Sequence, residues 1–122
     1  MTNLSRPEIE PFFEPAPAEL TFQDLVVGTG AEATADSTVD VHYLGVDYET
    51  GEEFDASWNR GESIAFPLKA LVKGWQEGIP GMKVGGRRLL ICPPLWAYGP
   101  AGGGHRLSGR TLVFVIDLLA VK

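Results

Sequence analysis

Only one segment of this chain has the period of a helix. In Pro67–Ile79, PLKALVKGWQEGI, the residues Leu68, Leu71, Val72, Trp75 and Ile79 fall at offsets of three, four, seven and eleven from Leu68, which is one helical face. Gly78 stands where a left-handed residue closes a helix, and Pro80 forbids continuation. Gly74 in the middle costs up to about 1 kcal/mol against Ala, so packing of Trp75 and its neighbours must hold the helix in place. A lone helix of this length needs a sheet to cover its apolar face.

The rest of the body supplies that sheet. FQDLVVG, TVDVHYLGVDY, EEFDA, SIAFPL, RRLLICP and TLVFVIDLLAV are short apolar runs separated by Gly, Asp and Asn, and they read as strands. In TVDVHYLGV the alternation puts Val39, Val41 and Tyr43 on one face and Asp40 and His42 on the other, so one face packs on a core. The last run is apolar on both faces except at Asp117, which places it centrally in the sheet. The expected fold class is α+β, with about five antiparallel strands bent over one short α-helix.

Residues 1–19 differ in texture. Pro7, Pro11, Pro15 and Pro17 stand among acids and small residues, a composition that favours extended backbone, and this stretch is read as an N-terminal extension to a domain over 20–122. Phe12 and Phe13 are apolar enough to pin it onto the body. With 122 residues there is room for one core, so function must sit on one compact unit. The net charge of −6 argues against general affinity for nucleic acid, although Arg87 with Arg88 could form a small basic patch. No run approaches the ~20 apolar residues of a membrane span, and one cysteine, Cys92, allows no intrachain disulfide. A cytoplasmic monomer is the expectation.

The chemistry-bearing residues exclude more than they suggest. GPAGGGHR, Gly99–Arg106, has the glycine spacing of a phosphate loop, but His105 and Arg106 stand where Lys and Ser or Thr are needed, and a strand follows where a helix is needed. Cys92 lies in a strand, where cysteine acts as a small buried hydrophobe rather than a nucleophile for His42 or His105. The histidines have no metal-ligand spacing, so no metal or cofactor is expected, and Glu52 with Glu53 reads as a solvated pair. What stands out is a set of aromatic residues at element edges: Tyr43, Phe54 with Asp55, Phe66, Trp75, Tyr98 and Phe114. Aromatic residues mostly fill cores, but a concave apolar site with a few polar groups would use the same ones.

VHYLG, TGEEFDASWNRG, FPL, LVKGWQEGIPGMKVGGRRLL, PPLWAYG and TLVFVIDLL together resemble the FKBP family of peptidyl-prolyl isomerases, in that family's order and near its spacing, over Leu20–Lys122. The FDASW and VGGRR forms are most similar to single-domain bacterial members. The resemblance implies a half-barrel around the helix and a pocket for a prolyl ring. Trp75 would be its floor, and Tyr43, Phe54, Ile64, Leu71, Val72, Tyr98 and Phe114 its walls. Phe54, Trp75, Asp55 and Tyr98 would carry catalysis, with Asp55 and Tyr98 at the mouth. The Val72 N–H and the Tyr98 hydroxyl would bind ligand carbonyls, and Arg60 would pair with Asp55. Implied partners are proline-containing peptides and unfolded or flexible segments, with macrolides such as rapamycin and tacrolimus as inhibitors. A non-catalytic module that grips proline segments is the alternative. A strong chaperone role lacks the inserted apolar flap domain.

Three departures from the family pattern bear on the site. Ile64 stands where many relatives have an aromatic wall, and the entry to the helix, KALVKGW, is two residues shorter than in some. The loop after AYG lacks the family's Val-Ile-Pro-Pro stretch, whose isoleucine touches substrate. Aligned back from Thr111 that contact falls on Arg106, and with a one-residue slip on Leu107, which is the better chemical match. Three glycines would leave this flap entropically freer and lower its affinity for substrate and macrolide.

Overall fold

The structure, a computed structural model, describes residues 4–122. Six strands form: β1 (Thr21–Val26), β2 (Thr38–Asp47), β3 (Glu53–Ala56), β4 (Ile64–Pro67), β5 (Arg87–Cys92) and β6 (Leu112–Val121). They make one antiparallel sheet in the order β1-β5-β6-β2-β3, with β4 also paired to β2, so the count is six rather than about five. The apolar β6 is central, between β5 and β2, as its two-sided hydrophobicity requires. Bulges at Asp40/Val41, Gly45/Val46 and Asp24/Val26 interrupt the ladders and coil the sheet into a half-barrel. No helix is long and apolar enough to cross a membrane among the described residues.

The helix is shorter than its periodicity predicts. Leu68–Ala70 is a 3-10 turn, Leu71 and Val72 are extended (ψ 171° and 153°), and α1 covers only Lys73–Gly78. Periodicity reads side-chain direction, and a turn followed by a break can send the same residues to the core. Nor does Gly78 close the helix in a left-handed conformation. It remains helical, its lack of a side chain instead making room for Leu90, whose Cδ2 would lie 2.7 Å from a Cβ there, and the left-handed residue is Gly81 (φ 95°). Arg88 caps this end instead, donating from Nη1 to the carbonyl of Gly78 (2.9 Å) while Nε bonds Asp24 (2.7 Å).

The sheet separates two cores. On the inner face Val39, Val41, Tyr43, Leu90, Cys92, Phe114, Ile116 and Leu118 pack with Leu68, Trp75 and Ile79. On the outer face Leu44, Val46, Tyr48, Ala56 and Val113 pack with Ile9, Phe12 and Ala16 of the N-terminal stretch, and with Trp58, Leu89 and Ile91. The core face read for β2 holds at Val39, Val41 and Tyr43, and from Leu44 onward its other face packs on the second core. Phe12 stacks on Tyr48 (4.5 Å, 18°), whose hydroxyl donates to the carbonyl of Glu14 (3.0 Å), but Phe13 does no pinning and is 94% exposed.

Two further expectations fail for the same reason, strand alternation combined with this second core. Arg87 and Arg88 form no basic patch: they point to opposite faces, Arg87 into a buried pair with Asp117 (2.6 Å) and Arg88 to Asp24. Glu53 is not merely solvated; it pairs with Arg6 of the N-terminal stretch and accepts from Asn59 Nδ2 (2.7 Å).

Candidate active site

Trp75 sits on the buried side of α1, and three rings meet it edge-on: Tyr43 from β2 (5.3 Å, 75°), Phe114 from β6 (5.3 Å, 89°) and Phe66 from β4 (6.1 Å, 85°). Phe54 from β3 meets Phe114 in the same way (5.6 Å, 86°). Edge-to-face packing is the favoured geometry of aromatic pairs, so the arrangement is stable without a ligand. Gly45 permits it: a Cβ there would lie 2.6 Å from Phe54 Cζ and 3.1 Å from Phe114 Cε1. The glycine of VHYLG is thus a packing requirement of the site. Above Trp75 these rings enclose a cavity of about 210 Å³, lined by Tyr43, Phe54, Asp55, Phe66, Leu71, Val72, Trp75, Tyr98 and Phe114.

Of the residues expected at the site, the structure brings eight onto this cavity and leaves three off its wall. Ile64 is half-buried against the inner core without lining the cavity, and Phe66, two residues on and on the same face of β4, lines it instead. The aromatic pattern and the strand SIAFPL already contained Phe66; what was missing was how the sheet coils over the cavity. Leu107 packs into the inner core, 9% exposed, and Arg106 is exposed on the loop. Arg60 stands behind the mouth and acts through Asp55.

The polar groups fall into two kinds. Asp55 is held: Tyr43 Oη donates to Oδ2 (2.5 Å), Arg60 Nη1 to Oδ1 (3.1 Å), and Arg60 Nη2 also reaches Tyr43 Oη (3.0 Å). Burial pushes the Asp55 carboxyl up, but the hydrogen bonds from Tyr43 and Arg60 outweigh it and the pKa is lowered. Burial, and then the hydrogen bond to Asp55, raises that of Tyr43. Asp55 is therefore a fixed carboxylate and not a proton donor at neutral pH. By contrast the Val72 N–H and the Tyr98 hydroxyl make no hydrogen bond among the described residues. Val72 is free because the chain breaks before α1, which leaves its amide at the cavity edge.

No Cys, Ser, Thr, Lys or His lines the cavity among the described residues. Cys92 is buried on β5, and burial pushes its thiol up to about 12. Among the described residues no three His, Cys, Asp or Glu side chains come together as a metal site. The loop after Tyr98 is tied at its neck, not slack. Gly109 N–H donates to Gly99 O (2.7 Å), and Gly99, Gly102, Gly104 and Gly109 all have φ between 80° and 92°. These glycines answer a backbone demand for left-handed residues, which corrects the reading of them as freedom alone.

A bent antiparallel sheet closed on a short helix, with an aromatic cavity and two unpartnered donors at its edge, defines a domain built to bind an apolar ring next to a carbonyl. The family model described as FKBP-type peptidyl-prolyl cis-trans isomerase matches residues 30–119, and the chain belongs to that family. The chain is 62% identical over 117 residues to the "Probable FK506-binding protein" of Corynebacterium glutamicum, covering 96% of this chain and 99% of the relative. It is 52% identical over 124 residues to the "FK506-binding protein" of Streptomyces anulatus, covering 98% and 99%. The crystal structure of FkpA from Escherichia coli superimposes with a TM-score of 0.77 at 41% identity, over 84% of this chain and 48% of that one. That of AtFKBP13 does so with a TM-score of 0.75 at 36% identity, over 88% and 96%. The activity that goes with the family is rotation about X-Pro bonds, a peptidyl-prolyl isomerase reaction.

Proposed function

We propose that the cavity over Trp75 takes the prolyl ring and that the reaction proceeds there without a covalent step. Rotation about X-Pro is slow because it breaks amide resonance, a barrier of about 20 kcal/mol. In the twisted transition state the carbonyl is less polar and the nitrogen more pyramidal than in the planar amide. An apolar cavity therefore disfavours both planar forms relative to the twisted one, and water that would hydrogen-bond the planar carbonyl is excluded.

The residues divide the work. Trp75 is the floor; Tyr43, Phe54, Phe66, Leu71, Val72 and Phe114 are the walls. The Val72 N–H and Tyr98 hydroxyl bind two substrate carbonyls and hold the peptide across the mouth. Asp55, fixed by Tyr43 and Arg60, supplies a negative field and positioning. The observation that carries this reading is the set of three rings standing edge-on to Trp75 around an apolar cavity, with the Val72 N–H and the Tyr98 hydroxyl unpartnered at its edge.

The substrates are proline-containing segments of flexible or unfolded chains. The names of the bacterial relatives support binding of tacrolimus (FK506), and with it rapamycin, in the same cavity. We read the protein as a cytoplasmic monomer. The test is a Leu-Pro peptide isomerisation assay on the parent chain and on Phe54→Ala. A fall of at least about tenfold in kcat/KM, together with inhibition of the parent by rapamycin, is expected; each tenfold is about 1.4 kcal/mol of lost transition-state stabilisation. A folded Phe54→Ala with full turnover would overturn the cavity assignment.

A further inference from the structure

The imidazole of His105 lies flat on the phenol of Tyr98, with ring centroids 4.0 Å apart and planes 5° from parallel. Tyr98 is the most exposed of the cavity's aromatic walls, 37% exposed. The loop is built to bring His105 back over it. His105 N–H donates to Ser108 Oγ (3.1 Å), and that hydroxyl donates to the Tyr98 carbonyl (3.1 Å), so one serine joins the residue to the tyrosine it covers. The ring itself is held at Nδ1, which accepts the N–H of Leu107 (3.0 Å), a residue buried in the inner core.

We propose that His105 is a positioning residue for Tyr98 and that its protonation lowers isomerase activity. The inference rests on the reading of Tyr98 as a substrate-binding group. With Nδ1 as acceptor, the neutral ring carries its proton on Nε2. The imidazolium has two donors and no acceptor, so an Nδ1–H would face the Leu107 N–H, donor against donor. The ring must then turn off this anchor, and the stack on Tyr98 is lost with it. Activity is therefore higher with the neutral ring than with the imidazolium. Arg106, its neighbour in the chain, and Asp55 at the mouth act on Tyr98 in opposite directions after the larger effect of burial.

The experiment is kcat/KM on a Leu-Pro peptide between about pH 5 and 8, where imidazoles titrate, for the parent chain, His105→Ala, His105→Phe and Tyr98→Phe. The parent is expected to lose about three- to tenfold toward acid, the worth of one aromatic stack. His105→Ala should lie at the low level at every pH. His105→Phe, which stacks but cannot titrate, should give a flat profile above that of His105→Ala. The same acid step in His105→Phe as in the parent would overturn the proposal, as would His105→Ala matching the parent at pH 8. If Tyr98→Phe turns over like the parent, the role of Tyr98 falls and takes this inference with it. If Tyr98→Phe is impaired while the histidine variants behave as the parent does, only the role of His105 falls.

Discussion

On the inner face of the sheet Trp75 arrives on a helix and meets Tyr43, Phe66 and Phe114 edge-on; on the outer face Phe12 arrives on a proline-rich strap and lies flat on Tyr48. Both covers are short and neither would be stable alone. The difference lies in what they leave behind. A helix is a cylinder about 10 Å across, and set in a coiled sheet it cannot fill the far corner, so a cavity remains beside Trp75. An extended strap follows the surface it covers, and its contacts are pairwise: a stack, a carbonyl under Tyr48 Oη, Arg6 on Glu53 and Asn59, Arg87 on the Ser5 carbonyl. One face is thereby built for binding, the other for holding the sheet's shape.

Substitutions can break or sharpen this contrast. The largest effect is expected for Trp75→Ala, which removes the floor of the cavity and the centre of the inner cluster. A loss of about 3–5 kcal/mol by urea unfolding, together with loss of isomerase activity, should result. Asp117→Asn comes next. It leaves Arg87 buried without its ion, so stability should fall by about 3 kcal/mol, while kcat/KM of the folded fraction stays within about twofold of the parent. Equal loss of activity and stability here would abolish the distinction between the faces. Phe12→Ala should cost about 2 kcal/mol through the lost stack and burial on Tyr48, again without a change in kcat/KM.

The smallest effect concerns the corner that joins the faces. Asp47, at the end of β2, accepts Arg110 Nε (2.6 Å) and the N–H groups of Glu49 and Thr50, and the Arg110 hydrogen bond, ahead of the opposing effect of burial, lowers its pKa below the usual carboxylate value of 3.8. A depressed folded-state pKa means stability that is present above pH ~4 and lost as pH falls through the folded value. Asp47→Asn should therefore be less stable than the parent by about 1–2 kcal/mol at pH 7, with the gap narrowing in urea melts as pH falls below ~4.

Much of the inner face was legible in the residues themselves. Alternation in TVDVHYLGV, the two-sided apolarity of TLVFVIDLLAV and the spacing of Leu68, Leu71, Val72, Trp75 and Ile79 indicate a sheet bent over one apolar helical face, and the motifs add the family. The outer face was not. A proline-rich acidic stretch has no period, so nothing in PEIEPFFEP marks Phe12 as seated and Phe13 as exposed. Among the site residues, Ile64 and Phe66 share one face of a strand, and only the coil of the sheet decides which of them reaches the cavity.

Local pattern determined which segments form strands or helix and which side chains turn inward, because alternation and helical spacing depend on covalent geometry that every residue carries. The tertiary structure decided the rest. It broke the helix before Lys73 and freed the Val72 amide, folded the glycine loop so that His105 covers Tyr98, and laid the strap on the outer face. The strap depends on contacts between residues far apart in the chain and the glycine loop on irregular local hydrogen bonds, and neither leaves a periodic trace in the sequence.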